Sequence, residues 1–132
     1  MKTKLSIAAV GLGLLLASVP AIAHHSFAAE FDAAKPIKLT GSVTKVEWMN
    51  PHTYFYIDVK DEKGAVTNWG LEMGSPNGLM RQGWTRNSMK IGDMVTVEGS
   101  AAKDGSNIGN ARSVTLAGGQ RLFAGSSQTT TP

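Results

Sequence analysis

Residues 37–48 alternate apolar and polar positions with period two, the pattern of a strand buried on one face. Ile37, Leu39, Gly41 and Val43 share that face. Val46 and Trp48 then fall one residue out of phase, which a β-bulge near Thr44–Lys45 would repair. Asn50–Pro51 is a turn signal. From 52 to 60 the alternation resumes. Phe55, Ile57 and Val59 take one face, while His52, Tyr54, Tyr56 and Asp58 take the other.

Asp61-Glu62-Lys63-Gly64-Ala65 predicts a hairpin. Gly64 suits the left-handed position that closes a three-residue loop with a bulge. Asp61 then pairs with Ala65, Ile57 faces Trp69 and Phe55 faces Leu71, so the apolar faces coincide. A loop one residue longer would set Phe55, Ile57 and Val59 beside Gly70, Asn68 and Val66 instead. The preferred register also puts Glu72 opposite Tyr54 and near His52, on the side away from the core.

Ser75-Pro76 predicts a helix start, with Ser75 as N-cap and proline in the first turn. Leu79, Met80 and Trp84 are its expected apolar side, and Gly78 and Gly83 keep it short. A strand is expected over 94–99, carried by Met94, Val95 and Val97, and a last one over 108–116, with Val114 and Leu116 in phase. Trp48 and Trp69 are read as core. The expected fold class is all-β with one short helix, a small five-stranded OB-like Greek-key barrel with the helix between its third and fourth strands. An open sheet or small sandwich is the alternative.

The amino-terminal stretch follows a different pattern. Lys2 and Lys4 precede an uncharged apolar run from Leu5 to Val19, and Ala21-Ile22-Ala23 has the A-x-A form of a cleavage site. Residues 1–23 therefore read as a signal peptide cut after Ala23. The alternative is a membrane anchor, but the run of about 15 residues is shorter than the ~20 that a spanning helix needs. The expected organisation is signal peptide 1–23, a segment 24–36 carrying a His pair, a barrel domain 37–124 and a flexible tail 125–132. The expected location is periplasmic or secreted.

This division changes the reading of charge. The 132-residue chain carries 13 Lys and Arg against 10 Asp and Glu, a net +3 that suggests a nucleic-acid partner. Lys2 and Lys4 leave with the signal, so 11 basic residues face 10 acidic ones and the remainder carries +1. That value and export argue against nucleic acid. A periplasmic protein or a small ligand is the expected partner, with no stable membrane span. The chain has no Cys, so it has no disulfide, thiolate metal site or cysteine nucleophile.

Its three histidines, His24, His25 and His52, form the candidate site. Cleavage after Ala23 would give His24 a free α-amine beside its ring nitrogen, two donors able to chelate one ion. An imidazole from His52 or His25 would complete a three-nitrogen set of the kind that favours copper. Glu72 is the candidate outer carboxylate orienting His52, and Met49 or Met73 a candidate soft ligand for Cu(I). The competing reading gives the histidines only solubility and turn hydrogen bonds. A metal-free alternative function uses Tyr54 and Tyr56 as a face for a peptide or envelope partner. Catalysis finds little support. G-x-S-x-G, P-loop and H-E-x-x-H motifs are all absent, and a copper-dependent oxidase is the remaining, minor enzyme reading.

The start His24-His25-Ser26-Phe27, the Asn50-Pro51-His52 turn and the Lys90-Ile91-Gly92-Asp93 turn resemble an uncharacterised family of small exported bacterial proteins, classed as a domain of unknown function. The resemblance implies an exported β-barrel and no assigned activity.

Overall fold

A computed structural model of the chain describes residues 26–125. The described elements run α1 (Ser26–Glu30), β1 (Phe31–Glu47), β2 (Tyr54–Lys60), β3 (Val66–Glu72), α2 (Pro76–Arg81), β4 (Met94–Ala102), β5 (Ile108–Thr115) and β6 (Arg121–Phe123). Antiparallel pairing links β3 to β2, β2 to β1, β1 to β4 and β4 to β5, and a parallel pairing of β3 with β5 closes the ring. This is the expected all-β barrel with OB-type strand order and a helix between β3 and β4. Closure leaves the ring without open edges where β3 meets β5.

The hairpin has the preferred register: Phe55 pairs with Leu71, Ile57 with Trp69 and Tyr54 with Glu72. Gly64 takes φ +83°, and the Asp61 amide donates to the Ala65 carbonyl at 2.9 Å. The bulge lies where the phase slips. Val43 pairs with Ile57 and Lys45 with Tyr56, so Thr44 is the extra residue. Ser75 caps α2, its Oγ accepting from the Gly78 amide at 3.2 Å.

The structure corrects several details. Six described strands and two short helices replace five and one. Strand β1 begins at Phe31 rather than 37, because its pairing with β4 is irregular between Phe31 and Pro36 and shows no alternation there. Met80 is exposed while Leu79 is fully buried, since adjacent helical residues cannot share a face. Met94 is exposed, and Trp48 and Trp69 pack on the rim of the core rather than inside it. Phe55, Ile57, Leu71, Met73, Leu79, Trp84, Val95, Val97 and Val114 form the interior.

Residues beyond β5 complete the barrel. The Ala124 amide donates to the Arg112 carbonyl on β5, and the Ala124 carbonyl accepts from the Gly74 amide beyond β3, both at 2.8 Å. Ala124 thus bridges β3 and β5 where the two diverge. Gly125 packs against Gly74, and residues 126–132, the rest of the expected tail, lie outside the described residues. Among the described residues no helix is long and apolar enough to cross a membrane.

Candidate functional site

The β2–β3 hairpin sets His52, Tyr54 and Glu72 side by side. Tyr54 and Glu72 are cross-strand partners, and His52 follows two residues before Tyr54 on the same face. The Tyr54 hydroxyl donates to Glu72 Oε2 at 3.0 Å. The other carboxylate oxygen, Oε1, lies 3.7 Å from His52 Nδ1. The same Nδ1 is 3.1 Å from the Met73 carbonyl oxygen. A carbonyl only accepts, so Nδ1 must carry the proton, and the neutral ring then keeps its lone pair on Nε2.

Burial sets the electrostatics. The Glu72 side chain is 10% exposed, whereas that of His52 is 33% exposed. Burial raises Glu72 above the ordinary carboxylate range, against the Tyr54 hydrogen bond and the nearby His52, which both lower it. Burial, with the negative charge of Glu72 beside it, pushes Tyr54 up to about 12. Glu30, at the end of α1, adds to both rises.

His52 and Glu72 are therefore together. His24 and His25 lie outside the described residues, and among the described residues no cluster of three or more His, Asp or Glu forms a metal site. Met73 is corrected as a soft ligand. Its side chain is 2% exposed within the core, and it offers the site only its carbonyl. Met49 is 44% exposed. Tyr54 spends its hydroxyl on Glu72. Tyr56 lies against Gly70, where a Cβ would sit 3.1 Å from the ring, and the Lys45 ammonium is 5.4 Å from its ring centroid. Trp84 is buried, with its Nε1 donating to the Phe123 carbonyl at 2.8 Å.

Sequence reasoning missed the Met73 carbonyl. A regular extension of the hairpin register would give that carbonyl to the Thr53 amide. Instead the Thr53 amide donates to the Gly74 carbonyl at 3.0 Å while the Met73 amide donates to the Thr53 carbonyl at 2.8 Å, and this slip, which no residue pattern shows, frees the Met73 carbonyl for His52. Nothing in the pattern announced Glu30. Thr53 is fully buried, and its hydroxyl has no hydrogen-bond partner among the described residues. Thr53→Val removes that hydroxyl while keeping the branched shape and both backbone bonds. It is expected to raise stability by ~1–3 kcal/mol, the desolvation cost of an unsatisfied polar group, seen as a higher urea midpoint.

Among curated proteins none matches the chain. A family model matches residues 12–112, a span that takes in His24, His25, His52 and Glu72 and ends before β6; it describes a family of unknown function, DUF6152, and the chain belongs to that family.

Proposed function

We propose that this is an exported copper-binding protein, which holds the ion through the α-amine and ring of His24, exposed by cleavage after Ala23, together with His52 and with His25 at hand. The observation that carries this reading is the commitment of His52 Nδ1 to the Met73 carbonyl, with Glu72 behind it. It leaves a partly exposed ring with Nε2 available, the arrangement in which metal-bound histidines are held.

Helix α1 (Ser26–Glu30) begins two residues after His24, and the charge of Glu30 at its end adds to the rises of Tyr54 and Glu72. The tyrosines enter this reading as supports for the hairpin rather than as a docking face, since the Tyr54 hydroxyl and the Tyr56 ring are already engaged.

The test uses protein recovered from the cell envelope, whose intact mass is expected to begin at His24. Copper titration against a competing chelator is expected to give one equivalent bound. An alanine placed before His24, or His52→Ala, is expected to weaken binding beyond the ~10–100-fold typical of losing an outer partner. Uptake that is indifferent to both changes overturns the reading.

A further inference from the structure

We propose that Arg112 and Arg121 form a binding site for a small organic monoanion, a carboxylate carried on an apolar body the size of one ring. The site is independent of the copper reading and shares no residue with the His52, Tyr54 and Glu72 cluster.

A β-bulge in β5 creates it. Glu98 pairs with Ser113 and Gly99 with Ala111, which leaves Arg112 as an extra residue, and a bulge of this kind re-aims a side chain. In a regular strand Arg112 and Ser113 would point to opposite faces. Here both line one surface depression of about 330 Å³, and Arg121, Leu122 and Phe123 complete its wall. The Arg112 backbone is fixed, since its carbonyl accepts the Ala124 amide at 2.8 Å. Its side chain is exposed and makes no hydrogen bond or ion pair among the described residues.

Arg121 is held by its neighbours. Its Nη2 donates to Glu98 Oε2 at 2.8 Å and to Ser113 Oγ at 3.1 Å, and its Nε donates to the same Oγ at 3.3 Å. Ser113 is 7% exposed and donates its own proton to Glu98 Oε2 at 3.3 Å. The guanidinium is thus oriented before any ligand arrives, and its Nη1 is unengaged among the described residues. Two guanidinium groups against the carboxylate of Glu98 leave a net single positive charge at the depression. That balance suits a monoanion over a phosphate dianion. The planar fork of a guanidinium matches the two oxygens of a carboxylate. Leu122 and Phe123 offer apolar surface to the rest of the ligand, and the volume lies at the small end of ligand pockets, room for one ring.

Benzoate, its neutral analogue benzamide and inorganic phosphate are the probes. Each is titrated into the isotope-labelled protein at constant ionic strength and followed by amide NMR. Benzoate is expected to give saturable shifts at Arg112, Ser113 and Phe123, phosphate a weaker response and benzamide none. Arg112→Gln removes one charge and leaves the bulge and the Ala124 bond, which are main-chain features. It is expected to fold, as circular dichroism checks, and to bind benzoate at least ~10-fold more weakly, the loss of one charge-assisted contact. The proposal is overturned by any of four results: no saturable response to benzoate, an equal response to benzamide, tighter binding of phosphate than of benzoate, or unchanged benzoate affinity in folded Arg112→Gln. None of these results bears on copper, which is measured separately.

Discussion

Gly99→Ala is expected to abolish the folded barrel at ordinary temperature. Gly99 sits mid-strand in β4, with Ile37 of β1 on one side and Ala111 of β5 on the other. The β4–β5 register slips there: Glu98 pairs with Ser113 but Gly99 with Ala111, so Arg112 is the extra residue. The slip drives the β5 backbone against Gly99. A Cβ at that position would collide with the Asn110 carbonyl oxygen and stand 2.9 Å from the Asn110 carbonyl carbon and 3.1 Å from Ala111 Cα. Backbone cannot rotate aside as a side chain can, so the strand pair must part. The cost is expected to exceed the ~3 kcal/mol upper range of ordinary overpacking, a large share of a small domain's stability. Soluble yield and urea unfolding check this. Gly118→Ala, which meets nothing within 4 Å, is the control and is expected to fold normally. The slip also serves the site at a distance. Arg112, its extra residue, accepts the Ala124 amide, and Ala124 in turn binds Gly74, next to the Met73 carbonyl that holds His52.

The second large effect is expected at Trp84. Its ring is 2% exposed in the core, and its Nε1 holds the Phe123 carbonyl at 2.8 Å. Trp84→Ala is expected to cost ~3–5 kcal/mol, from lost burial and the cavity left behind. Trp84→Phe separates the two contributions. It keeps most of the packing and strands the carbonyl, for a cost of ~1–3 kcal/mol. Urea unfolding gives both values. Hydrogen exchange adds a local readout: the Ala124 and Gly74 amides are expected to exchange faster in either variant, because β6 loses its anchor. A Trp84→Phe protein with wild-type stability and unchanged exchange at those amides would show that the indole bond does not hold β6.

These two sites show where the sequence stopped being legible. The hairpin register, the bulge at Thr44 and the cap at Ser75 were readable because each is written in a few consecutive residues. A period of two assigns faces, a glycine of positive φ ends a loop, and a serine before proline opens a helix. From that register the pairing of Tyr54 with Glu72 followed directly. Strand β6 was not readable, since the three residues Arg121–Phe123 are too few to show any period. Its place comes from backbone bonds to strands far away in the chain. The burial of Trp84 and the exposure of Met80 likewise depend on which side of α2 meets the barrel.

The candidate site divides the same way. Sequence alone determined the local hairpin, the face shared by His52, Tyr54 and Glu72, and the choice of residues able to hold a metal. Tertiary structure decided which atoms meet. It took the Met73 side chain into the core, gave its carbonyl to His52, and split the Glu72 carboxylate between Tyr54 and the imidazole. The physical reason is the range of the forces involved. Face and turn follow from sterics between neighbours in the chain. The distance between two side chains on different strands follows from ring closure at β3–β5, and every strand of the barrel contributes to that.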